Sequence, residues 1–219
     1  GPTAPAETWE KALNTVTIFV IDPSGDLLAK RSFSAAELSA KKATFALPNA
    51  VPGTVCEFYA VANLDMAQVN SSDVLTAMLE QDAASYNGTF AEVSAKAKRT
   101  GGFVMSGSAS KAVAAAGSST DVAITLKRTV AKVAVQVTPS PQFGSLYQGA
   151  VRINSITLSN SATQTPVFPT KTDPGAFNFS TTQASDAASG KYRNLFYLYE
   201  SPARNVGSRV KATIVATYD

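Results

Sequence analysis

Apolar residues in this chain recur at every second position, in short runs cut off by proline and glycine, a period that belongs to β-strands rather than helices. The first such run, over 15–21, is rich in β-branched residues and turns apolar on both faces toward Ile21, which predicts a strand buried on both sides. Asp22-Pro23-Ser24-Gly25 follows. Its proline presets one turn angle and its glycine is free to take positive φ, so the chain should reverse into a second strand over 27–33 as a hairpin. Ser34 and Glu37 have capping-box spacing and predict about one helical turn. A short strand is expected over 44–47. After the breaks at Pro48-Asn49 and Pro52-Gly53 comes a stronger one over 55–62, where Cys56, Phe58 and Ala60 alternate with Glu57 and Tyr59.

Helical spacing replaces the two-residue period at Val74, Leu75, Met78 and Leu79. With Ser71 or Ser72 as cap and Asp73 in the first turn, the expected helix spans 72–83 and packs its stripe on the sheet. Strand-like runs at 103–105 and 122–126 flank a Gly/Ser/Ala-rich stretch, 106–120, that reads as a loop with at most a short edge strand. From 129 to 138 the alternation is clean, Val133, Val135 and Val137 facing one way and Lys132, Ala134 and Gln136 the other, until Pro139-Ser140-Pro141 stops it. Between Ile153 and Ile156 the apolar phase shifts, which predicts a bulge or bend near Asn154-Ser155. The stretch 159–190, with Pro166, Pro169 and Asp173-Pro174-Gly175, reads as a long connection carrying a short strand over 176–179, and the last strands are expected over 195–199 and 209–218. Many short strands without a strand–helix–strand rhythm predict an all-β protein built of sandwiches. A loop-rich half gives way to a fresh strand series near Lys127-Arg128, so domains are expected at 1–127 and 128–219. The first nine or so residues lack periodicity and read as an extended arm.

Composition narrows the chemistry more than the fold. With 219 residues the chain can bury a real core without staples, and at 16% charged residues its surface is mild. The net charge of +3 comes from basic residues spread in ones and twos; only Lys96, Lys98 and Arg99 are denser, and they read as a solvated loop rather than a nucleic-acid patch. No run approaches the roughly 20 consecutive apolar residues of a membrane helix. The single cysteine, Cys56, excludes an internal disulfide and a cysteine-rich metal site, and its alternating apolar context reads as a buried thiol.

There is no histidine, which removes the Ser-His-Asp and Cys-His machineries and the usual zinc ligand. The 16 acidic residues fall at turns, helix ends and exposed strand positions such as Glu57 and Glu200, so no catalytic carboxylate pair stands out. Gly101-Gly102, Gly107 and Gly117 lack the helix-opening context of a phosphate loop. No catalytic residue, cofactor or metal is expected. Asn70, Asn87 and Asn178 open glycosylation triplets that mark surface loops. Tyr192, Phe196, Tyr197 and Tyr199 could form a sugar-stacking platform, but their alternation with Leu195 and Leu198 fits core and cross-strand packing better. Gly1-Pro2 reads as the scar of a cleaved tag, so localisation is inferred indirectly.

Seven segments, in order, resemble the fimbrillins, subunits of the type V pili of Gram-negative gut and oral bacteria: NTVTIFVIDPSG, EFYAVANLD, GGFVMSGS, ITLKRTVAKVAVQV, VRINSITLSN, NLFYLYESPA and VKATIVATYD. The resemblance implies two transthyretin-like Greek-key β-sandwich domains with one short helix in the N-terminal domain. It implies a non-enzymatic protein exported as a lipoprotein precursor to the cell surface, its only membrane link being that lipid anchor. It further implies cleavage after an arginine, which removes the first strand, and polymerisation by donor-strand exchange with other fimbrial subunits. The arm directly before the first mature strand reads as if the removable strand were absent, and the chain stops at Asp219 where family members continue. Val16, Ile18 and Val20 are expected to line the groove, because a removed N-terminal strand would have paired near the first retained one. A second reading is a tip or accessory adhesin that binds a host or bacterial surface ligand through loops such as 159–190.

Overall fold

The run of β-branched residues at the start of the chain takes the place its two apolar faces require, inside a sheet. In the computed structural model, which describes residues 6–95, 99, 101–169, 176–201 and 206–219, β1 (Val16–Ile21) pairs on one side with β2 (Leu27–Ser32) and on the other with β3 (Val55–Ala62). The hairpin turns as expected: Gly25 sits at φ +89°, and Asp22 Oδ1 accepts from the backbone N–H groups of Ser24 and Asp26 at 2.9 Å. α1 (Ala35–Ala40) opens on the Ser34–Glu37 capping box, both reciprocal bonds being made.

Beyond β3 the chain departs from its own periodicity. α2 (Ser72–Thr76), capped by Ser71, ends seven residues short of the expected helix; the chain then extends into β4 (Leu79–Glu80), followed by a 3-10 turn, Ala83–Tyr86. Leu75 is fully buried beside Phe19 and Val61, but Val74 and Leu79 are 50% and 43% exposed, so the stripe packs only in part. The competing interaction is long-range: β4 pairs with the later strand Thr165–Pro166, and Met78 O accepts from Val167 N at 3.0 Å. α3 (Phe90–Ser94) was not anticipated, although Thr89 and Glu92 form a capping box.

The expected loop over 106–120 is for half its length a strand. β5 (Met105–Ala112) pairs with β3 along all eight residues, and β6 (Lys127–Arg128) completes a sheet of order β2-β1-β3-β5-β6. Phe103 and Val104 precede the strand. The small residues that suggested a loop serve close packing: a Cβ at Gly107 would lie 2.3 Å from the Thr125 carbonyl oxygen.

The second half begins with β7 (Val130–Val137) and α4 (Phe143–Leu146), then β8 (Val151–Ser161) and β9 (Thr165–Pro166). β10 (Phe179–Ala184), β11 (Asp186–Ala188), β12 (Lys191–Tyr199) and β13 (Lys211–Tyr218) complete it. Sheets β10-β8-β13 and β11-β12-β7 bury Ile156, Leu158, Phe196 and Leu198 between them, with Val133, Val135 and Val137 half-buried against that cluster. The expected bulge is present: Val215 faces Ser155 but Ala216 faces Ile153, so Asn154 is skipped. The strand foreseen at 176–179 lies later, at β10, and 14 of the 32 residues of the foreseen connection belong to strands; Asp173-Pro174-Gly175 falls outside the described residues. The buried Gln183 joins β10 to β12, donating to Leu195 O and accepting from Leu195 N, and so closes one side of this sandwich.

An aromatic core links the two halves. Phe103 is met edge-on by Trp9 at 5.2 Å, Tyr86 at 5.4 Å and Tyr197 at 4.8 Å between ring centres, in a cluster that includes Val130 and Tyr199. Tyr197 and Tyr199 are therefore core, as their alternation suggested, and not a sugar platform. The arm is not loose over its described part, because Thr8–Lys11 forms a 3-10 turn that docks Trp9 in this cluster.

Candidate functional site

One face of the five-stranded sheet carries Val16, Ile18 and Val20 from β1, opposite Ala62, Ala60 and Phe58 of β3 in register. Two segments lie over it. Phe45, Leu47, Val122 and Ile124 pack on Val20, Cys56 and Phe58, while Leu126 packs on Val16, Ala62 and Met105. Both segments alternate like strands: Ala43, Phe45 and Leu47 are half-buried and Thr44 and Ala46 exposed, just as Val122, Ile124 and Leu126 are half-buried and Ala123 and Thr125 exposed.

Yet neither segment belongs to a ladder, and among the described residues no backbone hydrogen bond joins 43–46 or 121–126 to a strand. The strands expected over 44–47 and 122–126 thus have strand alternation without strand partners. Of the three residues singled out from sequence, Val16 (4% exposed) and Val20 (0%) are covered by the chain itself. Ile18 alone stays half-buried, and it touches the clusters on either side of it. Cys56 on the same face is buried, and burial pushes its thiol up from its ordinary value, so no nucleophile is offered there.

A second concentration of polar groups sits where the halves meet. Glu10, 2% exposed, accepts from Tyr197 Oη and from Lys132 Nζ at 2.8 Å, and its backbone carbonyl accepts from Arg128 at 3.2 Å. Burial works to raise the Glu10 carboxyl, but the bonds from Lys132 and Tyr197 overcome it and hold the group below the ordinary range. Glu80 accepts from Tyr86 Oη, from Thr129 Oγ1 at 2.7 Å and from Arg99 at 3.1 Å, with the Arg99 guanidinium 4.5 Å from the Tyr86 ring centre. Arg99 is therefore an ion-paired structural residue rather than a solvated one; Lys96 and Lys98 lie outside the described residues.

Asn87, offered by sequence as a surface site, is buried and bonded through its side chain to Ala83 O and to both the N–H and carbonyl of Tyr197, so it is closed to modification. A cavity of about 470 Å³ beside the 3-10 turn is lined by Glu10, Arg128, Lys132 and Tyr197, whose polar groups already serve one another. These carboxylates are paired with cations and hydroxyls, an arrangement that joins elements and leaves no free base.

The sequence matches no family profile and no curated protein. The fold does find relatives. The tip fimbrial protein Mfa3 from Porphyromonas gingivalis, in a form with a C-terminal truncation, superposes with a TM-score of 0.61 at 15% identity over 98% of this chain and 78% of that one. A candidate cell adhesion protein from Bacteroides eggerthii gives 0.58 at 15% identity over 94% and 72%. A fimbrial assembly protein from Parabacteroides distasonis gives 0.53 at 15% identity over 96% and 80%. The fold is theirs. At this identity the likeness is one of architecture, an all-β sandwich, and the role must be argued from the site.

Proposed function

We propose that this chain is a non-enzymatic subunit of a bacterial cell-surface fimbria, and that its first half accepts a β-strand from another fimbrial subunit on the face carrying Val16, Ile18 and Val20. The observation that carries the reading is the pair of unladdered segments, 43–47 and 121–126, lying with their apolar side chains inward on that face. An added strand there pairs with one or both of them, buries Ile18, and supplies the hydrogen-bond partners their backbones lack. In this reading 1–127 is the acceptor domain and 128–219 a second sandwich. Export of a lipid-anchored precursor and removal of an upstream strand by cleavage belong to the same proposal.

The energy scale is consistent with a durable joint. Burying about five apolar side chains gains roughly 8 to 15 kcal/mol, and ordering about eight residues costs roughly 8 to 16 kcal/mol of backbone entropy. Ladder hydrogen bonds supply the surplus, and slow release supplies the durability. The alternative role, a tip adhesin reading a surface ligand through 159–190, has less to stand on, because 14 of those 32 residues are committed to strands β8 to β11. The test is a synthetic peptide of alternating valine and threonine, titrated while the melting temperature is followed. A saturable rise that Ile18→Asp abolishes supports the acceptor face; no rise at the highest peptide concentration sinks it.

A further inference from the structure

Residues 165–168 belong to the second half by position in the chain but lie in the core of the first. Val167 is 1% and Phe168 6% exposed, in a cluster with Phe19, Val61, Met66 and Leu75 whose other members all come from the first half. Phe168 meets Tyr59 edge-on at 5.0 Å between ring centres. The backbone is fastened as well: Thr165–Pro166 pairs with Leu79–Glu80, Val167 N donates to Met78 O at 3.0 Å, and Val167 O accepts from the buried Ser106 hydroxyl. Phe19 alternates with Val16, Ile18 and Val20 along β1, so this cover lies on the opposite face of the sheet from the candidate acceptor surface.

The first half makes a matching insertion into the second. Asn87, 5% exposed, stands beside β12 past the end of its ladder with β11, which pairs only Lys191, Tyr192 and Arg193. Its Oδ1 accepts from Tyr197 N at 2.9 Å and its Nδ2 donates to Tyr197 O at 2.8 Å, the two bonds that an antiparallel strand would make to one residue. The neighbouring carbonyl, Gly88 O, accepts from Gln183 Nε2 of β10 at 3.0 Å. No linker separates the halves. Thr129 alone stands between β6 and β7, its N–H donating to Val104 O at 3.1 Å and its hydroxyl to Glu80 at 2.7 Å.

We infer that these two insertions form a reciprocal clasp that couples the halves into one cooperative unit. Neither half opens while the other stays folded, and the chain does not hinge at 127–129. Opening the first half alone would strip Val167 and Phe168 of their surroundings and leave the N–H and C=O of the buried Tyr197 without Asn87. Opening the second alone would bare Phe19, Val61 and Leu75, all fully buried, beneath the vacated place of Val167 and Phe168. Halves joined by an ordinary interdomain surface would instead move and unfold separately. A pull on one half is thus carried into the other through buried contacts. The clasp stands independently of the strand-acceptor reading, because none of its contacts lies on that face.

Calorimetry on the whole chain should give one transition whose calorimetric and van't Hoff enthalpies agree. Hydrogen exchange read by mass spectrometry then tests the coupling. Ile156→Val removes one methylene from a cluster drawn only from the second half. It should nevertheless speed exchange of the slowest amides of β1 and β3 by the same factor as those of β8 and β12, about two- to tenfold. Phe58→Leu, in a cluster drawn only from the first half, should act equally on β8 and β12. Phe168→Ala should lower the melting temperature by roughly 6 to 20 °C, with the milder Phe168→Leu between it and the parent. Asn87→Ala should speed exchange in β1 and β3 although its strand bonds are to β12. Two separate transitions, exchange that changes only in the half carrying the substitution, or a loss below about 2 °C for Phe168→Ala would each overturn the inference.

Discussion

Replacing Glu10 by alanine should unfasten the 3-10 turn from the second half, at a cost set by what the carboxylate leaves behind. Tyr197 Oη, on a residue 2% exposed, loses its acceptor, which costs about 1–3 kcal/mol for an orphaned buried donor. Lys132 loses a charge-assisted bond of roughly 1.5–3 kcal/mol. That loss is softened because its side chain is 16% exposed and the Glu7 carboxylate stands 3.8 Å away. The sum is about 3 kcal/mol, or roughly 6–12 °C of melting temperature for a chain this size. Glu10→Gln should fall between the variant and the parent, since an amide oxygen can still accept from Tyr197.

The pH dependence gives the mechanism its own readout. The folded Glu10 carboxyl is held below its ordinary value, so its contribution is fully present above about pH 4.5 and is lost as pH falls through the folded value. The gap between parent and Glu10→Gln should therefore be widest near neutrality and close in acid. Thermal and urea denaturation followed by circular dichroism measure both. A loss below about 1 kcal/mol for Glu10→Ala at neutral pH, or a Gln gap that does not change with pH, would refute the reasoning.

Two further outcomes follow from the same junction. Tyr86, Tyr197 and Tyr199 are each pushed above their ordinary value by burial and by neighbouring carboxylates, so the stability they contribute is present below about pH 10 and is lost as pH rises beyond it. Absorbance titration should show these phenols ionising together with unfolding, and ionisation of all tyrosines at the ordinary value in the folded protein would contradict the burial. Asn63 holds φ +61° while its Oδ1 accepts from Asn14 N at 2.8 Å and its Nδ2 donates to Ala12 O and Phe103 O, both at 2.8 Å. Asn63→Ala should cost about 2–4 kcal/mol, combining lost hydrogen bonds with left-handed strain. A change within about 0.5 kcal/mol in urea melts would show those bonds to be dispensable.

Where local signals were strong, the chain could be read residue by residue. The hairpin at Gly25, the Ser34–Glu37 capping box, the buried Cys56 and the bulge at Asn154 each follow from side-chain chemistry within a few positions. Misreadings fall where a distant partner decided. The stripe beginning at Val74 gives way after α2 because Leu79 and Glu80 have ladder partners in Pro166 and Thr165. Met105–Ala112 is a strand despite its small residues because β3 lies along its whole length and Thr125 passes over Gly107. The candidate site was legible only as Val16, Ile18 and Val20 sharing a face; that two unladdered segments cover the outer two and leave Ile18 half-open depends on how 43–47 and 121–126 return across the sheet.

Period, punctuation and the absence of histidine therefore determined, by themselves, an all-β protein without histidine-dependent catalytic machinery, since alternation and turn chemistry act over a few residues. Which strands pair, which stay unladdered, and which charges become buried fasteners were decided by tertiary structure alone. Those outcomes turn on competition among contacts far apart in the chain, and a polar residue such as Glu10 or Arg99 reveals its role only once its partner has been brought beside it.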